Sequence, residues 1–473
     1  MTHSTKAAAR PAELSGVLAE FAAEAAYEKL PQPAIDGAKK SLLDTLGVIL
    51  AASGTEPASR AAVDVVRDMG GQAQATVIGH GFRAPAAMAA FANGAMAHCL
   101  NFDDQTPWGQ HSGTSIVPAA LAVVERQGGV SGKDLIAAVA VGQDIFTRLR
   151  RHVGWRQDWN LSSVIGVIAA TAAAGRLLNL SPDRLTHAFS FGAIQSGGFM
   201  DMVSGPGSEL GGMYAGFSAK GGVLAALLAK RGAKGTDTLF EGTNGFFATY
   251  FGGSYDREKI LENLGGEYYG AATLYKPWPA VGTAHSHIHA TLEAIARHDL
   301  SIDDIQELRV HAGDCHEGLC APLEARRAPE TLMDARFSLP FLVATAAVHG
   351  DLKARDLTQE ALRDQRVLDF ARKVVAVSDP ALDWKDELPS GRVEIVTRDG
   401  RHIQQSGEHT PGSATRPLTW NDISAKFADC AALAAVPPPP EQIAATQRTA
   451  ADLESADDAA ELVRSIAQAA NGH

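Results

Sequence analysis

VIGVIAATAAAGRL, residues Val164–Leu177, carries a single charged side chain, Arg176, and is otherwise built of small and apolar residues. Alanine is the best helix former, and small side chains let neighbouring helices approach closely. A helix of this composition has no broad polar face to turn toward water, so it belongs at the centre of a helical bundle. Ala215–Lys230 reads the same way. Working outward, Leu43–Ala52, Ala86–Leu100, Thr114–Gln127 and Gly132–Arg150 place apolar residues at helical spacing, and Ser131 is positioned to cap the last of these. The pattern from about residue 12 to 265 is helix after helix. The texture changes at Tyr275-Lys276-Pro277-Trp278-Pro279. Beyond it, Glu307–His311, Lys373–Val377 and Arg392–Thr397 alternate as strands do, and Asp399-Gly400 predicts a hairpin into His402–Gln405. Helical stretches at Ser286–Arg297 and Ser338–His349 lie among them, and the helical pattern returns at Ile423–Ala434. Pro437–Pro440 is a rigid spacer before an acidic helical end. The expected fold is mainly α: a large all-helical domain over 1–270, completed by 406–473, and a smaller α+β domain over 271–405. No internal repeat is present.

The bulk composition narrows the function. The 473 residues carry a formal net charge of −12, with 45% apolar and 20% charged residues. That balance opposes nucleic-acid binding, which needs clustered basic side chains, but permits a local basic pocket for a small anion. The four cysteines, Cys99, Cys315, Cys320 and Cys430, are too few for a disulfide framework. No run of 18 uncharged apolar residues occurs, and the first 19 residues lack the apolar centre of a signal peptide. The expectation is a cytoplasmic chain with reduced thiols and no membrane or nucleic-acid partner.

The densest polar cluster runs from Asn101 to His111 and includes the adjacent Asp103 and Asp104. A carboxylate can orient an imidazole through one ring nitrogen and leave the other to exchange a proton near neutrality. Taken alone, the same residues equally describe aspartates capping neighbouring helices and a histidine in a polar core position. Lys276 offers a carboxylate clamp or, if desolvated, a base; a lysine at a domain hinge is the plainer alternative. His285, His287 and His289 alternate as strand ligands would, yet at a helix start residues two apart diverge by about 200°. Cys315 and Cys320, beside His311 and His316, do not have zinc-knuckle spacing and read as structural. Gly205-Pro206-Gly207 and Gly211-Gly212 read either as a flexible lip with free backbone N–H groups or as a plain loop. Arg336 reads either as a second carboxylate clamp or as a surface or interface arginine.

Taken together, Ala97-His98-Cys99-Leu100-Asn101-Phe102-Asp103-Asp104, His111-Ser112-Gly113, Pro118–Ala122, Ser131–Leu135, Ala215–Ala219, Phe240-Glu241-Gly242, Lys276-Pro277 with His285, Arg336–Pro340 and Lys426-Phe427 resemble the MmgE/PrpD family in order and spacing. The resemblance implies a helical domain, a smaller α+β lid domain, a homodimer, and neither metal nor organic cofactor. It implies an activity on a small di- or tricarboxylate, among dehydration of 2-methylcitrate, decarboxylation of cis-aconitate and epimerisation of iminodisuccinate. On the matching positions it makes His111, Lys276 and Asp103 the candidate catalytic residues. Asn101, Gln105, Asp104, Tyr214, His285 and Arg336 become candidate substrate-binding residues.

The chain also departs from the family pattern. Where decarboxylase-like members carry Asp, Thr, His and Lys, this chain aligns Asn101, Gln105, Asn160 and Gly211, and Phe341 falls where some carry Tyr. Dehydration needs a base for the C–H and an acid for the hydroxyl, and decarboxylation needs an acid for the new carbanion. Epimerisation asks only that one carbon lose and regain a proton. The thinner acid–base set therefore points to an epimerase, of the iminodisuccinate type, with dehydratase or decarboxylase as the alternative.

Overall fold

The computed structural model describes residues 12–204 and 209–467. Gly205-Pro206-Gly207, half of the expected lip, lies outside them. The chain is mainly α, with 58% helix and 9% strand. Leu210–Lys230 runs through the first core and packs against Ala86–His98, Gly113–Gln127, Gly166–Leu177 and Pro182–Ala193. Small residues make this close packing feasible. A Cβ on Gly94 would lie 2.8 Å from the Gly216 Cα, so two of these helices cross glycine to glycine. Leu210–Lys230 is also long and apolar enough to cross a bilayer. Two thirds of its apolar window is buried against the other helices, as a central core helix requires.

The opening stretch splits in two. Asn160 caps a single turn, Leu161–Val164, and Gly166–Leu177 follows it. Ser131 caps Gly132–His152 as expected, accepting from the Asp134 N–H. One expectation is corrected: the helical part is not all-helical. Ala75–Val77 and Phe82–Ala84 form an antiparallel hairpin, with Gly79 and Gly81 at positive φ in its turn. Strands of three residues are too short to display an alternating pattern, which is why the hairpin did not show in the sequence.

A second core gathers around a four-stranded sheet ordered Val374–Ser378, Ile305–Ala312, Arg392–Thr397, His402–Ser406. The first pair is parallel and the others are antiparallel, with Gly400 at φ 86° turning the last hairpin. His285–Arg297 and Leu339–His349 pack against this sheet and each other. After the sheet the chain returns: Leu418, Ile423, Phe427, Leu462 and Val463 are buried in the first core.

One buried charge links these parts. Lys426, 8% exposed, lies 2.7 Å from Asp44 Oδ1 on the helix Gln32–Thr55 and donates to the carbonyls of Phe102, at 2.5 Å, and Lys276, at 3.0 Å. Its ammonium also sits 3.8 Å from the centre of the Phe102 ring. Removing one partner of a buried ion pair strands the other charge in a medium that solvates it poorly. Lys426→Met should therefore destabilise the chain by about 3–5 kcal/mol in chemical denaturation. The double variant Lys426→Met/Asp44→Asn should recover much of that loss. A loss under about 1 kcal/mol in the single variant, the scale of an exposed pair, would show that this lysine does not carry the junction.

Candidate active site

Between Ala86–His98 and Gly113–Gln127 the chain leaves the bundle as a short loop, 99–112, and folds its polar side chains inward. Asn101 opens the loop at φ 50°, a left-handed conformation that asparagine tolerates better than most residues. Gln105 exchanges two backbone hydrogen bonds with Leu274, at 2.8 and 2.7 Å, and so brings the segment carrying Lys276 alongside. Between them lies a cavity of about 240 Å³. That is below the roughly 300–1,000 Å³ of pockets for drug-sized ligands and suits a small acid. Asn101, Gln105, His111, Tyr214 and Lys276 line it, together with His98, Gln110, Asn160, Ser162 and Gly211. Trp155, Met200, Met333, Phe337 and Trp384 supply apolar wall.

Asp103 is fully buried behind this wall. Its Oδ2 lies 2.8 Å from His111 Nδ1 and 3.0 Å from His98 Nδ1. Burial alone would push the Asp103 carboxyl up, but the imidazoles of His111 and His98 that face it and the ammonium of Lys276 overcome it and hold it well below the usual carboxylate range. His111 Nδ1 also lies 2.7 Å from the Asp104 carbonyl. With a carboxylate and a carbonyl both facing Nδ1, the proton sits on that nitrogen and Nε2 is the free, basic one. The His111 N–H donates to Ser162 Oγ at 3.1 Å, so ring and backbone are both held. Lys276, 1% exposed, donates to the Asn101 carbonyl at 3.0 Å. Burial lowers its proton affinity, Asp103 works against that, and Lys426 adds to it.

His98 was not singled out from the sequence, although it stands in the motif segment with Asp103. Its ring lies 4.7 Å from that of His111 and 4.5 Å from that of Tyr214. Burial pushes its ring toward the neutral form. Burial likewise raises the Tyr214 phenol well above its ordinary value, so Tyr214 stays protonated, and it is hydrogen-bonded to Ser162.

Other expectations meet a different geometry. Arg336, 2% exposed, does not line the cavity. Its Nη1 is 2.5 Å from Glu56 Oε2 and 2.9 Å from the Cys99 carbonyl, which makes it a brace beneath the loop and not a carboxylate clamp. His285 lines a neighbouring cavity instead, and burial and then Lys276 push its ring down to about 3. Asp104 faces the helix Gly113–Gln127, accepting from the Gly113 N–H at 3.0 Å, so it acts as a helix cap. Phe341 is buried in the second core. His285, His287 and His289 start a helix and part company there: His287 reaches the His311 carbonyl at 2.7 Å and His289 faces Glu293.

Among the described residues, His98, Asp103 and His111 are the group that could hold a metal ion, their ligand atoms lying within 4.8 Å of one another. The distances fit hydrogen bonds better. Both imidazoles meet one carboxylate oxygen, and a carbonyl faces His111 Nδ1, where a metal would have to displace the proton.

The fold and this site agree with the comparison to known families. The MmgE/PrpD N-terminal domain matches residues 16–258 and the MmgE/PrpD C-terminal domain matches 278–451. The chain belongs to the MmgE/PrpD family. It is 26% identical to a cis-aconitate decarboxylase-like protein of Aspergillus oryzae, over 95% of this chain and 96% of that protein. It is 26% identical to the cis-aconitate decarboxylase of Aspergillus terreus, over 89% and 91%. The 2-methylcitrate dehydratase of Salmonella typhimurium is 25% identical to it, over 76% of this chain and 77% of that protein.

Asp104 provides a pH test of this geometry. Burial, then Asp103, then Asp44 raise its carboxyl from 3.8 to about 8. Between those values the folded chain keeps a proton that the unfolded chain releases, so this group's contribution to stability falls as pH rises from about 4 to about 8. Above that range both states are ionised and the contribution levels off. Asp104→Asn keeps an acceptor for Gly113 and cannot ionise. The melting temperature of the parent relative to the variant should therefore decline steadily from pH 4 to pH 8. A difference independent of pH over that range would contradict the assignment.

Proposed function

We propose that the chain is a cofactor-independent epimerase that removes and returns the proton α to the carboxylate of a small acid. The observation that supports this reading is the pairing of His111 with Lys276 on one cavity. His111 has its Nδ1–H fixed by Asp103 and the Asp104 carbonyl, which leaves Nε2 to take the proton. Lys276, desolvated and 1% exposed, is placed to meet the negative charge that moves onto the carboxylate as the C–H bond breaks. The electron pair of that bond enters the carboxylate as an enediolate; return of the proton by the His111 imidazolium to the face it left restores the starting acid, and delivery of a proton to the opposite face by the Lys276 ammonium gives the epimer. The remaining polar wall is mostly carboxamide: Asn101, Gln105, Gln110 and Asn160 bind without titrating.

A lyase reading has its own support. The relatives named above are a dehydratase and decarboxylases, and Tyr214 is a protonated phenol on the same cavity, able to protonate a leaving hydroxyl or a carbanion. Proton NMR of candidate acids in D₂O separates the two. Exchange at the α carbon without a new skeleton supports epimerisation, while a new alkene signal or loss of a carboxylate supports the lyase.

His111→Gln should reduce turnover by about 10² or more, with a smaller effect on KM. Lys276→Ala should reduce turnover and affinity together, while Lys276→Arg keeps the charge and removes an amine whose hold on its proton burial weakens. Near-normal turnover in His111→Gln would overturn the mechanism. Prolonged EDTA treatment should leave activity intact; loss of activity restored by zinc or iron would transfer the role of His98, Asp103 and His111 to a metal.

A further inference from the structure

We infer that the cavity recognises its substrate through one carboxylate, at Lys276, and takes the other arm as a neutral polar group such as a carboxamide or hydroxyl. This rests on the reading above, that a proton is removed next to a carboxylate, and it narrows the di- or tricarboxylate expected from the sequence. The argument is a charge census. Among the described residues lining the cavity, Lys276 is the one lysine, and no arginine lines it. His98 is held neutral by burial, and His111 must be neutral to accept a proton.

The cations nearby do not line the cavity and turn to other partners. Arg336 is paired with Glu56, and Arg150 turns its guanidinium to the Gln110 side-chain carbonyl and the Trp108 carbonyl. Lys426 faces Asp44. Among the described residues, a second or third carboxylate would find no lysine or arginine on the cavity wall besides Lys276. Residues 205–208, Gly-Pro-Gly-Ser, lie outside the described residues and carry no charged side chain.

What the wall does offer is carboxamide. Asn101 and Gln105 each carry donors and an acceptor, the complement of an amide or hydroxyl, while the side-chain oxygens of Gln110 and Asn160 accept from Arg150 and the Ser163 N–H and leave their NH2 groups as donors. A carboxylate buried there without a cation would be left poorly solvated. Gln105 is well fixed for such a role. Its backbone is paired with Leu274 on both sides, and its side-chain oxygen lies so close to Gly282 that a Cβ there would come within 2.2 Å of it.

Matched acids that differ only in the second carboxyl test this: malate against its 4-amide, and aspartate against asparagine, in both configurations. Binding is read by calorimetry and α-proton exchange by NMR in D₂O. The half-amides should bind about 10-fold or more tightly than the dicarboxylates. Tighter binding by the dicarboxylates overturns the inference whatever the exchange shows. Tighter binding by the half-amides without exchange in any of them upholds the inference and removes the proposed chemistry. No binding by either set, with the protein folded by circular dichroism, removes both. Gly211→Lys, which adds a cation to the cavity wall, should move the preference toward the dicarboxylate by about 10-fold or more. An unchanged ratio in a folded Gly211→Lys variant also overturns the inference.

Discussion

The ammonium of Lys426 is the constraint on which the site depends. A buried lysine is tolerable only where its charge and its N–H donors are all met, and here they are met by groups from three distant parts of the chain. Asp44 comes from the second helix, the Phe102 carbonyl from the loop 99–112, and the Lys276 carbonyl from the crossing into the second core. The two carbonyls flank the functional side chains directly, since Phe102 sits next to Asn101 and Asp103. One charge thus sets the separation between the loop that carries His111 and the segment that carries Lys276. Gln105 and Leu274 repeat the tie with backbone hydrogen bonds, and Arg336 closes it from below through the Cys99 carbonyl.

The same interaction shapes the electrostatics. Asp44, Asp103 and Asp104 are buried close enough to disfavour one another's ionisation. Asp103 is ionised because two imidazoles and Lys276 surround it, whereas Asp104, left with a helix N-terminus and a serine, is pushed up to about 8. Adjacent aspartates therefore take different protonation states and different jobs: one orients His111, the other caps the helix behind it. Pairs of like groups driven apart by their surroundings are a common way to build an acid–base site.

Much of this was legible in the sequence, and the remainder was hidden for identifiable reasons. Helices announced themselves through apolar spacing and caps such as Ser131, because those signals are local. The cluster from Asn101 to His111 was visible as a density of polar side chains, and the structure brings five of the expected residues, Asn101, Gln105, His111, Tyr214 and Lys276, to one cavity. Arg336 was misplaced because nothing local distinguishes a clamp from a brace; its partner, Glu56, is 280 positions away. His98 was overlooked because it ends a helix and turns its ring to Asp103 only through the fold of the loop. Trp384 and Leu388 belong to a strap between strands whose sequence has no periodicity, and their place against Gly109 is a tertiary fact.

The division between loop and wall suggests how one scaffold can serve several reactions. The orientation of His111 depends on a carboxylate, a backbone carbonyl and Ser162, all supplied by the first core. The rest of the cavity wall comes from elsewhere: Asn160 at a helix cap, Gly211 at the start of the central helix, Met333 from the short helix Leu332–Arg336 and Phe337 against the second core. Exchanging an ionisable side chain for a carboxamide or a glycine at those wall positions leaves the proton-handling geometry standing. It changes which arms of the substrate are held and whether a leaving group can be protonated. On the reading proposed above, the shared scaffold carries the carbon–proton chemistry, and the carboxamide-rich wall around Lys276 decides the product.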